Sequence, residues 1–147
     1  MPTQDEIIPI LFRYFMAASL MRQDFDRYLK DPKTQASIGN DPMMFLVSKA
    51  GLSMCLWYGM LFVVIEGWQE SRLTDLEIDR LLTSPNVSLL KRFRNGMFHF
   101  QKDQWLSSKL SDFCGSPDGV TWVRTLTHEL HRYFMAEMKR ISSPASP

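Results

Sequence analysis

Apolar residues recur along this chain at three- and four-residue spacing, the pattern of helices with one buried face. Leu11, Phe12, Phe15, Met16, Ala17 and Ala18 carry that spacing in a first segment running to about Tyr28–Leu29. Thr3, with Glu6 three residues on, opens it as a capping box, and Pro9 is tolerable near a helix start or as a kink. Asp31-Pro32 closes this helix, and Pro32–Asn40, which contains Gly39, reads as a polar loop. Asp41-Pro42 is an N-cap and N1 pair, so the pattern predicts a second, long helix from there to about Glu70. Thr74-Asp75-Leu76-Glu77 is another capping box, opening a short helix to about Leu82 that Ser84-Pro85 breaks. Asn86 caps a fourth helix carrying Val87, Leu89, Leu90, Phe93, Met97 and Phe98. Lys102–Phe113 is a weaker short helix, and Cys114–Gly119 is a turn. In the last helix Val123, Leu126, Leu130, Phe134, Met138 and Ile141 share one face, and Ser142–Pro147 reads as a frayed, disordered tail. No strand-like alternation flanks the Asn95-Gly96 pair. The expectation is an all-α, up-and-down helical bundle of about four long and one or two short helices, one domain over 1–141.

Composition adds exclusions. The chain has 147 residues, about one domain's worth, and 45% hydrophobic against 22% charged residues excludes intrinsic disorder. Lys+Arg is 17 against Asp+Glu 16, so no whole-molecule field attracts nucleic acid. Any such contact must come from a local cluster. Cys55 and Cys114 form no C-x-x-C pair, and each reads as a small apolar residue in a reducing compartment. The N-terminus, Met-Pro-Thr-Gln-Asp-Glu, is acidic where an export signal is basic. The apolar run Met54–Ile65 falls short of the ~20 residues of a bilayer span and reads as a buried central helix. A cytoplasmic protein without a membrane partner is expected.

The chemistry concentrates in Lys91-Arg92-Phe93-Arg94-Asn95-Gly96-Met97-Phe98-His99-Phe100-Gln101. Three cations, an amide and an imidazole share a helix that otherwise packs aromatics. On an ideal helix Asn95 and His99 lie about 40° apart and stack on one face, with Arg94 about 140° from His99. A straight helix therefore does not pair Arg94 with His99, unless it loosens at Gly96 or a two-fold axis brings in a second copy. Arginine grips phosphate with a bidentate fork, and histidine moves protons near neutral pH. The plainer alternative is a solvated cation and a satisfied core histidine.

The string Arg94-Asn95-Gly96-Met97-Phe98-His99 resembles the R-[polar]-x-x-x-H motif of HEPN domains (higher eukaryotes and prokaryotes nucleotide-binding). The long hydrophobic helix before it and the closing amphipathic helix fit that family over roughly 41–140. The resemblance implies a helical bundle that forms a homodimer with its motif helices face to face. It also implies a metal-independent endoribonuclease of toxin, defence or RNA-processing systems, or a relative that has lost activity and serves as a binding or scaffold module. Carried over, Arg94 would contact the scissile phosphate, His99 would act as general acid or base, and Asn95 would orient His99 or the RNA. The partners implied are a second copy, RNA, and an antitoxin or other regulatory protein; no cofactor or metal is implied. Gln101 stands where some toxin members carry a tyrosine, which disfavours the class whose tyrosine a paired nucleotidyltransferase modifies. No second basic stripe is visible to hold a long RNA. A silent interaction module and a nucleotide-binding regulator are the other readings of the same bundle.

Other candidates carry less. His128-Glu129-Leu130-His131 is one residue short of H-E-x-x-H and has no obvious third ligand, so surface or edge histidines are expected there. Neither cysteine has a neighbouring histidine to activate it. Trp57, Tyr58 and Phe62 read as core before they read as a ligand cavity. Glu66, which ends the apolar run, reads as a surface carboxylate before it reads as one facing the motif helix.

Overall fold

The structure, a computed structural model, describes residues 1–102 and 108–143. Among the described residues there are eight helices and no strand. In chain order they are α1 (Gln4–Lys30), α2 (Pro32–Ile38), α3 (Pro42–Val47), α4 (Lys49–Glu70), α5 (Leu76–Leu81), α6 (Asn86–Phe98), α7 (Ser108–Cys114) and α8 (Gly119–Ser142). The fold is an all-helical bundle. Four of its helices have only six or seven residues, where one or two short ones were expected.

Helix α4 is central because it is apolar on nearly every side. Trp57, Leu61, Val64 and Ile65 are fully covered, and α1 packs against α4, with Leu11 reaching Gly67 and with Ile8, Phe15 and Ala18 buried in the same core. A run of touching rings crosses the interior: Phe25 to Trp57 at 5.8 Å, Trp57 to Tyr58 at 4.9 Å, Tyr58 to Phe113 at 5.2 Å and Phe113 to Trp122 at 6.4 Å. Tilted and edge-on aromatic pairs of this kind add to the burial of their area. The Trp122 indole donates to the Leu81 carbonyl at 2.9 Å, so its polar atom is satisfied inside the core. Trp57, Tyr58 and Phe62 are therefore core, not a cavity lining. By length and composition α4 would suffice to cross a membrane, which the Met54–Ile65 run alone would not; 67% of its most apolar window is buried within the fold.

Four local readings change. The expected loop at 32–40 is mostly helix, because Asp31 caps it: its carboxylate accepts from the Thr34 N–H at 3.1 Å and the Thr34 hydroxyl at 2.8 Å, with Pro32 at N1. Gly39 then ends α2 at φ +56°, a backbone open to glycine at little cost. The expected single helix from Asp41 to Glu70 is broken at Ser48. This residue is extended (φ −76°, ψ 163°); its hydroxyl donates to the Phe45 carbonyl at 2.6 Å and accepts from the Gly51 N–H at 3.1 Å. One serine thus terminates α3 and caps α4. Asn86 is not a cap either. It is the first residue inside α6, 1% exposed, donating to Asp118 at 3.0 Å and accepting from the Ser116 hydroxyl at 2.7 Å, which ties the start of α6 to the turn before α8.

The cap of α5 is Asp75, whose carboxylate accepts from the N–H groups of Glu77 and Ile78, so the capping signal lay one residue after Thr74. Of the expected helix Lys102–Phe113, residues 103–107 lie outside the described residues and the remainder belongs to α7. Ser142 is the last residue of α8, and 144–147 of the expected tail lie outside the described residues.

Candidate functional site

Helix α6 is positioned by Leu90 and Phe93, both fully buried against the core. That anchor turns the C-terminal half of the helix along α4. Arg94 follows Phe93 and lies half-buried over α4, its guanidinium carbon 5.0 Å from the centre of the Phe62 ring. Its Nη2 donates to the Glu66 carboxylate at 3.2 Å, while its buried Nε has no hydrogen-bond partner. Glu66 therefore faces the motif helix and is not simply a surface carboxylate. The reason is registry: Phe62 and Glu66 are four residues apart on α4, so ring and carboxylate grip one guanidinium from the same stripe.

His99 departs from the expected geometry. Helix α6 stops at Phe98, and His99 is the C-cap in an extended conformation (φ −114°, ψ 134°). Its backbone N–H still donates to the Asn95 carbonyl at 3.1 Å, but its side chain leaves the helical register. Asn95 and His99 are thus joined through the backbone, not stacked by their side chains. Neither side chain has a hydrogen bond among the described residues, and no bond links Arg94 to His99 within one chain. The His99 imidazole is exposed. The Gln101 amide donates to the His99 carbonyl at 2.9 Å, and Lys109 of α7 donates to the Gln101 side chain at 3.4 Å, bringing a cation beside the cap. Of the other cations in the string, Arg92 pairs with Asp112 of α7 at 2.7 Å.

Beside His99 opens a groove of about 370 Å³ between the α3–α4 corner and the end of α6. Val47, Leu52 and Phe98 on its walls are half-exposed, and Phe100 is 92% exposed. Phe98 reaches α4 at Gly59, where even a methyl group would meet its ring at 2.3 Å. The end of α6 is held down by that glycine.

The remaining candidates separate. Cys55 is buried, and burial pushes its thiol up to about 12, which removes it as a nucleophile. Cys114 is at the surface. His128 and His131 are exposed on α8 and join no three-residue cluster of His, Cys, Asp or Glu able to hold a metal among the described residues. Glu66 and Phe62 are the site residues missed as such by sequence reasoning. Their only signal was the first carboxylate after a long apolar run, four residues from an aromatic. Compared with family models, with curated proteins and with solved structures, the chain matches none.

Proposed function

We propose that the end of α6 is an RNA site built from Arg94, Asn95 and His99 of two HEPN-like protomers, acting as a metal-independent endoribonuclease. The observation that carries this reading is the exposed His99 at the rim of an uncovered apolar groove, five residues after an arginine held in place by Phe62 and Glu66. Exposed apolar patches of this kind mark surfaces that meet another molecule. A second copy would cover Val47, Phe98 and Phe100 and bring its own imidazole and guanidinium to the same place.

The chemistry follows from the two side chains. The 2′-hydroxyl of the RNA attacks the adjacent phosphorus, forming the new O–P bond as the bond to the 5′-oxygen breaks. One His99 takes the 2′-hydroxyl proton and the partner's His99 returns a proton to the leaving 5′-oxygen, leaving a 2′,3′-cyclic phosphate. Arg94 stabilises the charge that builds on the phosphate oxygens, the effect usually worth most in such sites.

The test incubates single-stranded and structured RNAs with wild type and His99→Ala in EDTA. The variant should cleave about 10²–10⁴-fold more slowly with an unchanged circular dichroism spectrum, since the exposed imidazole supports nothing in the fold. DNA should be inert, because it lacks the 2′-hydroxyl. Equal cleavage by both proteins, or none by either, overturns the nuclease. A non-catalytic binding module is the second reading, and the commitment of Arg94 to Glu66 favours it. Under that reading RNA or a partner binds, and His99→Ala changes affinity without any turnover to lose.

A further inference from the structure

On α1, Phe15, Ser19, Arg22 and Asp26 recur at four- and three-residue spacing and form one stripe. On α8, Arg124, Thr127, His128 and His131 do the same. The two stripes face each other across a cleft of about 320 Å³, within the size range of small-ligand sites.

Arg22, Arg124, His128, His131, Ser19 and Thr127 line the cleft, and no carboxylate does. Asp26 lies one turn beyond, outside the lining. It accepts from Arg22 at 3.0 Å and from both Nη atoms of Arg124 at 2.7 and 3.3 Å, so it fixes both guanidinium groups in place. The Arg124 guanidinium also rests over the Trp57 ring at 5.4 Å. Two cations against one carboxylate leave a positive balance. Both arginines keep donors outside these bonds: Nε and Nη2 of Arg22, and Nε of Arg124.

A structural clamp between α1 and α8 would account for the arginines and Asp26. It leaves the rest unexplained. His128 and His131 make no side-chain hydrogen bond among the described residues, and His131 lies only beside the Phe15 ring, at 6.3 Å. Ser19 is buried in the cleft wall with its hydroxyl unbonded among the described residues. Each imidazole offers a ring N–H in either charge state, and each serine an O–H. The free guanidinium fork of Arg22, the Nε–H of Arg124, imidazole N–H groups and a hydroxyl around a carboxylate-free hollow fit a tetrahedral oxyanion. We infer that the α1–α8 cleft binds the phosphate group of a small phosphate monoester. The cleft shares no residue with the end of α6, so this inference stands or falls apart from the RNA reading.

The test follows backbone amide and histidine ring resonances of the full chain by NMR at constant ionic strength. Inorganic phosphate and glycerol 3-phosphate are added separately, with glycerol as the uncharged control. Saturable shifts centred on Ser19, His128 and His131 are expected with both phosphates and not with glycerol. The double variant His128→Gln, His131→Gln, exposed at both positions and so able to fold, should bind about tenfold more weakly or worse. Ser19→Ala gives a second, smaller loss. Shifts that do not saturate by about 10 mM, ten times a 1 mM Kd, overturn the site. So does equal affinity in the double variant, or binding of inorganic phosphate alone, which would mark an adventitious ion only.

Discussion

At the scale of single residues, Arg94 is held by two unlike forces. The Phe62 ring attracts the guanidinium face, and Glu66 takes one of its five N–H groups. Both partners are part-exposed, so the ion pair is worth on the order of 1 kcal/mol or less. Its larger effect is on the field an incoming phosphate would meet. Glu66→Gln keeps the shape and an acceptor oxygen for Arg94 while removing one negative charge. The variant should unfold within about 1 kcal/mol of wild type. Under the RNA reading proposed above, it should bind single-stranded RNA more tightly at low salt, with the gain fading as salt screens the phosphates. Fluorescence anisotropy against a labelled RNA measures this. Weaker binding would instead make Glu66 a positioning group whose charge is needed to aim Arg94. Arg94→Lys is no conservative control, since an ammonium loses both the fork and the stacking on Phe62.

At the scale of elements, the corner between α3 and α4 decides where the groove beside His99 lies. Gly51 approaches α3 so closely that a methyl group there would meet the Phe45 carbonyl oxygen at 2.0 Å. That neighbour is backbone and cannot swing away. Alanine ordinarily gains about 1 kcal/mol over glycine inside a helix, yet Gly51→Ala should destabilise the fold, by about 1–3 kcal/mol, because α3 must move. Ser48→Ala should cost about 1 kcal/mol through the lost cap. Urea unfolding of the two variants checks both, and a stabilised Gly51→Ala would refute the close approach. This corner also shows what the sequence can and cannot tell. The long periodic helices α1, α4 and α8 were legible because their apolar faces are wide and local spacing alone generates them. The break at Ser48 was not, since the residues on both sides are helix formers and only a tertiary turn selects the serine as a cap. Asp31-Pro32 carried the same cap-and-proline signal as Asp41-Pro42, but the polar residues after it obscured a short helix with no buried face. Arg94, Asn95 and His99 could be named from the motif that residues 94–99 resemble, not from helical spacing, which set Arg94 apart from His99. The Glu66–Arg94 contact, 28 positions apart, depends on how two helices pack, as does the departure of His99 from the helix.

At the scale of the whole molecule, α8 is fastened to the front of the chain by three aspartate–arginine pairs. Asp5 meets Arg140, Asp26 meets Arg124, and Asp75 meets Arg132, across 135, 98 and 57 positions of sequence. Each aspartate is held below its ordinary value of 3.8. For Asp5 and Asp26 the chief cause is the hydrogen bond from the arginine. For Asp75 burial pushes the other way, and Arg132 together with the N–H groups opening α5 outweighs it. A carboxyl whose folded value lies below its unfolded one contributes its full stabilisation above the unfolded value. That stabilisation is lost as pH falls through the folded value. The pairs should therefore support the fold at full strength down to about pH 5 and weaken progressively as pH falls below about 4. Asp26→Asn with Asp75→Asn isolates the charge, because asparagine keeps an acceptor oxygen and is as good a helix cap as aspartate. Near pH 7 the double variant should be less stable than wild type by about 1 kcal/mol, the sum of three part-exposed pairs, since Asp26 meets Arg22 as well as Arg124. As pH falls below about 4 the wild-type aspartates become protonated too, and the two unfolding curves should converge. Urea midpoints across the acid range give the answer. If the gap stays constant down to about pH 3, the charges contribute nothing, and α8 is held by Trp122, Val123, Leu126, Leu130 and Phe134 alone.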